Sequence, residues 1–284
     1  MKMKMWLFVV SVLLVIDFPI IKTEVVNSFE KCKNYFLNEQ PPVIPGILNN
    51  SDSTGNNRYK QICQKYKNAY RFATLYDTEN KIPVFSAYIY EGKKENFTRP
   101  NPKWMIESEL ESPVAEMTVL TCANQAIRED YRNNSYNVDR GHLFPSCHAA
   151  NKVTAKSTFT LTNVVPQKIS FNGGSWSRME EKTKNIMDTC INSNNNVSAH
   201  VLTGAIPGEI KLNKKVNIPL YLWMAFCCYN KTEEKWVSQA YWAENIEENP
   251  VDEKTIEQKS VRELQNFFNE TWVPNVQLFD NYCK

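Results

Sequence analysis

Three of the chain's eight glycines stand in two short polar segments. The first is Asp139-Arg140-Gly141-His142; the second, thirty residues beyond the histidine, is Asn172-Gly173-Gly174-Ser175-Trp176, with Glu180 following. Glycines so concentrated imply close backbone approach or unusual dihedrals, and any fold for this chain must bring that about while giving the polar neighbours a use. The residue types suit one chemistry. Histidine can take a proton from water near neutral pH, and the arginine fork grips phosphate. An asparagine side-chain oxygen is a hard ligand of the kind a largely hydrated Mg²⁺ accepts.

Around these segments the pattern is mixed. Residues 70–76 and 82–90 are aromatic and β-branched runs separated by the polar turn Asp77-Thr78-Glu79-Asn80-Lys81, which predicts a hairpin. Residues 159–165 read as a strand ended by Pro166, residues 198–206 and 216–229 as buried strands, and residues 235–243 as a strand pairing back. Trp176, Met179, Ile186, Met187, Cys190 and Ile191 recur at helical spacing, with Ser175 or Ser177 as N-cap. With Ser177 as the cap, Glu180 falls at the capping-box position. A second helix is expected over 252–268, and the turn-rich stretch 40–57 reads as a surface loop. Strands and helices without βαβ regularity indicate an α+β fold.

The N-terminus reads as a processing signal. Lys2 and Lys4 precede an eleven-residue apolar run, 6–16, long enough for a signal-peptide core and too short to span a bilayer. Cleavage is placed near Thr23, leaving 24–284 as a single domain; an uncleaved anchor is the alternative. No later segment is long and apolar enough to promise a membrane span. Eight cysteines behind such a leader point to disulfides with few or no free thiols, in pairings that sequence does not choose. Six Asn-X-Ser/Thr sequons, at Asn49, Asn96, Asn133, Asn196, Asn230 and Asn269, fit the same secreted or luminal glycoprotein. Without residues 1–23 the chain has 30 basic and 30 acidic side chains, so any phosphate-binding surface is local rather than global.

The segments Asp139-Arg140-Gly141-His142, Thr162-Asn163-Val164-Val165-Pro166-Gln167 and Asn172-Gly173-Gly174-Ser175-Trp176-Ser177-Arg178-Met179-Glu180 resemble the DNA/RNA non-specific endonucleases, the ββα-metal or His-Me finger nucleases. Within that family the chain looks most like the endonuclease domain-containing 1-like proteins, through Arg71-Phe72-Ala73-Thr74-Leu75-Tyr76-Asp77, Ile82-Pro83-Val84-Phe85-Ser86-Ala87-Tyr88 and Val201-Leu202-Thr203-Gly204. The resemblance runs from about Cys32 to the C-terminus. It implies a ββα-metal core set in a mixed α/β/α domain, with His142 as general base and Asn172 as direct ligand of Mg²⁺, for which Mn²⁺ can substitute.

In this reading Arg140 binds the phosphate and offsets transition-state charge, and Glu180 orients metal-bound water from the outer shell. Asn163, Lys168 and Arg178 are expected near the substrate. Each residue has a plainer alternative. His142 could be a loop histidine bonded to a carbonyl, Arg140 could simply pair with Asp139, and Asn172-Gly173-Gly174 could be a turn before a helix. Arg99, Lys93 and Lys94 could extend the phosphate surface but read better as a solvated loop, and Trp176 reads as core. Zinc at Cys147-His148 lacks the Cys-X-X-Cys spacing such a site uses. The function expected is low-specificity hydrolysis of DNA, RNA or both, read through phosphate contacts. The alternatives are a disulfide-rich binding glycoprotein on a nuclease scaffold and a phosphodiesterase for small nucleotides.

Overall fold

A computed structural model of the chain describes residues 24–49, 57–111 and 122–283; the expected signal peptide, 1–23, lies outside them, as do residues 50–56 of the turn-rich stretch. The strands, in chain order, are β1 Glu24–Val26, β2 Tyr59–Tyr66, β3 Ala69–Asp77, β4 Ile82–Tyr90, β5 Val138–His142, β6 Val164–Lys168, β7 Ala199–Ile206, β8 Lys211–Leu212, β9 Val216–Asn217, β10 Tyr221–Asn230 and β11 Lys235–Glu244. The helices are α1 Lys152–Ser157, α2 Ile169–Phe171, α3 Ser177–Met187 and α4 Val261–Thr271, with a π turn at Asn172–Trp176 between α2 and α3. Seven strands form one antiparallel sheet in the order β1-β2-β3-β4-β7-β10-β11, and β5 pairs with β6 in a separate ribbon. The fold is α+β, as expected.

Side chains alternate across the sheet, and the alternation builds two cores. Phe72, Tyr88, Val201, Met224 and Phe226 face the layer that carries the β5–β6 ribbon and α3. Ala73, Phe85, Leu202, Trp223 and Ala225 face the layer that carries the N-terminal turns and α4. The adjacent Cys227 and Cys228 point to opposite faces and staple both layers. Cys227 bonds Cys283, Cys228 bonds Cys190, and Cys32 bonds Cys63. Cys122 and Cys147 form no disulfide.

Several expected boundaries move. Of the strand expected over 159–165 only Val164 and Val165 are strand: Leu161–Asn163 is a 3₁₀ turn, and β6 then runs straight through Pro166. The alternating threonines turn inward, Thr160 and Thr162 donating to buried Glu107 at 3.2 and 3.3 Å. Pro166 is tolerated because β6 is bonded along one side only. The expected strand over 216–229 is broken at Pro219, where β9 turns back on β8 and β10 begins two residues later. The helix expected from 252 starts at Val261, where Ser260 and Glu263 form a reciprocal capping box. Residues 40–49 are a loop, but Ile44, Ile47 and Leu48 are core rather than surface.

The helix expected to start at Ser175 or Ser177 begins earlier. Helical backbone starts at Ile169, passes through Asn172 (φ −59°, ψ −46°) and the π turn, and continues as α3. Ser177 caps nothing, so Glu180 belongs to no capping box. Asn172 therefore lies inside the helical run, not ahead of it, two turns and one kink before Glu180.

Candidate active site

The β5–β6 ribbon sets His142 opposite Val164 at the end nearest the sheet. Gly141 is required one position earlier, because a Cβ there would stand 2.0 Å from the Gln167 side-chain oxygen. His142 is 8% exposed, and its ring packs 5.2 Å from Trp104 and 4.9 Å from Phe159. Those two rings also carry a guanidinium each, Arg140 at 4.8 Å over Trp104 and Arg99 at 5.8 Å over Phe159. Burial first, then the charges of Arg99 and Arg140, pulls the His142 pKa down to about 3. The imidazole is therefore neutral at physiological pH, and its buried Nε2 has no hydrogen-bond partner among the described residues.

Asn163 fixes the loop that follows the histidine. Its oxygen accepts from Phe144 N at 3.0 Å and Ser86 Oγ at 2.8 Å. Its amide nitrogen donates to Phe144 O at 3.1 Å and Thr158 O at 3.0 Å. Fully buried and fully bonded, Asn163 has no capacity left for substrate, so its expected place among the substrate-binding residues is corrected to a loop-holding one. Phe144, held in this way, stacks on Tyr88 of β4 at 3.9 Å.

Glu180 is held from behind by His148. His148 Nε2 lies 2.9 Å from the Glu180 carbonyl oxygen, and its Nδ1 lies 2.8 Å from the Tyr88 hydroxyl. A carbonyl only accepts, so Nε2 carries the proton and Nδ1 accepts from Tyr88. Burial lowers the His148 pKa to about 4 and keeps it in that neutral form. Burial also raises the Glu180 carboxyl to about 8, against the opposing pull of the Trp176 indole and Arg99. The indole Nε1 is itself buried without a well-formed hydrogen bond, and Trp176 is core, as expected. Cys147 Sγ stands 4.0 Å from Glu180 Oε2. Arg99 thus bears on both His142 and Glu180, which places the two side chains around one guanidinium.

Two expected substrate residues lie elsewhere. Lys168 pairs with Val138 at the other end of the ribbon, four strand residues or about 13 Å from the His142 register. Its ammonium donates to Tyr136 O at 2.8 Å and pairs with Glu247 at 3.4 Å. Arg178 is two residues from Glu180, about 200° around α3. It donates to Lys254 O and lines a groove with Lys182, Thr255 and Gln258 on the outer side of the helix. Arg140 makes the plainer of its expected contacts, Nε pairing with Asp139 at 3.0 Å, while its guanidinium lies over the Trp104 ring that packs against His142.

Sequence reasoning underrated Arg99, read as a solvated loop, and missed Trp104 and Glu248. Glu248, just beyond β11, accepts from Ser175 N at 2.9 Å and from Ser175 Oγ at 2.5 Å. The signal available for Arg99 and Trp104 was their shared segment, Arg99-Pro100-Asn101-Pro102-Lys103-Trp104, an arginine and an aromatic in a proline-stiffened stretch.

The residues present fit a hydrated divalent ion. Among the described residues the Asn172 side chain makes no hydrogen bond, leaving a hard amide oxygen available. No group of three or more His, Cys, Asp or Glu comes together among them; an ion held by Asn172 would keep most of its waters, as Mg²⁺ tolerates.

The chain is 29% identical over 276 residues to the endonuclease domain-containing 1 protein of Homo sapiens, covering 90% of this chain and 48% of that one. It is 27% identical over 270 residues to the Mus musculus protein of the same name, with the same coverage. The chain therefore spans about half the length of the curated relatives it matches. A Serratia marcescens nuclease is 36% identical over 56 residues, 20% of this chain and 21% of the nuclease. In the crystal structure of the EndoG/EndoGI complex, one chain superposes with a TM-score of 0.50 at 16% identity, covering 69% of this chain and 80% of that one. Residues 50–277 match the model of the DNA/RNA non-specific endonucleases, and the chain belongs to that family.

Proposed function

We propose that this domain is a secreted or luminal, metal-dependent endonuclease that hydrolyses phosphodiester bonds of DNA, RNA or both with little sequence preference. The observation that carries the reading is His142: buried, neutral, with Nε2 free, between two guanidiniums on aromatic supports. A phosphodiester lying between Arg99 and Arg140 cancels part of the positive potential that depresses the imidazole pKa. Substrate binding thereby raises the basicity of the group that must take a proton from the attacking water. The same two arginines stabilise the charge that builds on the phosphate oxygens.

Asn172 would hold Mg²⁺ or Mn²⁺, which when bound neutralises charge on the phosphate and assists the leaving oxygen. Glu180, kept in place by His148, would orient that ion's waters from the outer shell. Contacts of this kind read backbone rather than bases, hence the low specificity. Three disulfides support an oxidising compartment, and no helix among the described residues is long and apolar enough to cross a membrane. Five sequon asparagines are exposed. Asn230 is 4% exposed and accepts from Thr232 N and Glu233 N, so it leaves no room for a glycan.

His142→Ala is the test. Plasmid and RNA cleavage in Mg²⁺ should fall by about 10²–10⁴-fold, while nucleic-acid binding and melting temperature stay near those of the unaltered protein. A variant that cuts at the original rate would remove His142 from the chemistry.

A further inference from the structure

We infer that Glu248 is a positioning residue for the turn that presents Asn172, an inference that rests on the reading of Asn172 as the metal ligand. In an uninterrupted α-helix the Ser175 N–H would bond the carbonyl of Phe171. Here it turns outward to Glu248 Oε2 at 2.9 Å, and the Ser175 hydroxyl donates to Oε1 at 2.5 Å. A carboxylate from outside the helix thus takes the place of the helix's own acceptor, where the backbone is wound as a π turn. Isolated π turns inside α-helices occur often at functional sites.

The approach needs glycine. A Cβ on Gly174 would stand 2.5 Å from Glu248 Oε2, so any side chain at 174 would push the carboxylate off Ser175. Glu248 also grips the helix on the other side of Asn172, its own N–H donating to Ser170 Oγ at 2.8 Å. Asn172 is therefore bracketed by Ser170 and Ser175, both bonded to one residue some seventy-five positions downstream.

The grip has a rigid base. Asn245 accepts from Lys168 N at 2.8 Å and donates to Pro166 O and Pro219 O at 2.9 and 3.0 Å. Glu247 accepts from Asn137 Nδ2 at 3.1 Å. Residues 245–248 thereby tie β6, the ribbon tip and the π turn to the last strand of the sheet. Both Glu248 oxygens accept from Ser175, one from its N–H and one from its hydroxyl, so this carboxylate bears on Asn172 through the turn.

The experiment is a Mn²⁺ titration of the full chain followed by electron paramagnetic resonance, beside cleavage against metal concentration and melting without metal. Glu248→Ala should weaken Mn²⁺ binding by about 10–100-fold, the range for groups that orient a ligand. Half-maximal cleavage should shift to higher metal by a similar factor, with kcat at saturating metal largely kept. Glu248→Gln, which retains an oxygen for the Ser175 N–H, should recover most of the affinity, and Ser175→Ala should lose a few-fold. A Glu248→Ala protein that melts lower but binds Mn²⁺ like the unaltered chain, while Asn172→Ala binds it poorly, overturns this inference alone. Unchanged binding in Asn172→Ala overturns the ligand assignment and this inference with it. Should Glu248→Ala fail to fold, original affinity in Ser175→Ala overturns the inference.

Discussion

The two faces of the seven-stranded sheet are built from the same strands and made of different material. The face toward α4 is apolar: Leu75, Phe85, Leu202, Trp223 and Ala225 meet Leu264, Phe268 and the N-terminal turns, with two of the three disulfides stitched into it. The face toward the ribbon interleaves large aromatics with Gln64, Thr74, Ser86 and Thr203, all buried, and runs into Asn163, His148 and Glu107. Burying polar groups costs free energy unless each is bonded. The apolar face supplies the stability that lets the opposite face hold titratable groups in strained electrostatic states, His142 pulled to about 3 and Glu180 and Glu107 pushed to about 8.

That contrast can be broken from either side. Phe268→Ala on the apolar face removes a fully buried ring packed 5.3 Å from Trp223. It should cost about 3–5 kcal/mol in denaturant unfolding, with no change in kcat for the folded fraction. A matching drop in kcat would mean that the two faces are mechanically coupled.

Glu107 tests the polar face through pH. Burial raises its pKa to about 8 from an ordinary 4.5, with the hydroxyls of Thr160 and Thr162 opposing. Between those two values the folded chain holds a proton that the unfolded chain has released, so stability falls as pH rises across that window and levels off above about 8. Glu107→Gln lacks the titration. Melting curves from pH 5 to 9 should show the variant gaining several degrees on the original as pH rises, and parallel curves would refute the burial argument. The smallest change is Tyr88→Phe, which deletes one hydroxyl and leaves His148 Nδ1 unpaired. About 1 kcal/mol of stability should go, yet cleavage should fall several-fold, because His148 positions Glu180. Cleavage that tracks stability alone would reduce the Tyr88–His148–Glu180 chain to packing.

What sequence could reveal divides along the same line. Alternation made β3, β4, β7, β10 and β11 legible, with errors where proline or an inward threonine imitated a pattern, as at Pro219 and in residues 159–165. His142, Asn172 and Glu180 stood out as candidates because they sit in a motif whose glycines allow two close approaches, Gly141 to Gln167 and Gly174 to Glu248. Arg99 was not, since an exposed arginine in a proline-rich stretch looks solvated until Phe159 is seen beneath it. Glu248 had no local signal at all. It lies among several acidic residues after β11, and only the tertiary fold singles it out. Lys168 and Arg178 failed for a geometric reason: nearness in sequence to His142 and Glu180 does not survive the ribbon's length or the helix's rotation.

The grip of residues 245–248 on the Asn172 turn also sets a clock. A ribosome adds roughly 5–20 residues per second, so the partner of Ser175, 73 positions later, is polymerised roughly 4–15 s after it. Through that interval the growing chain already contains its histidine, its asparagine and its arginines but lacks the bonds that hold the turn. The last strand and the short segment behind it hold that turn, so a growing chain in which residues 245–248 have not yet been added has not acquired the geometry described above.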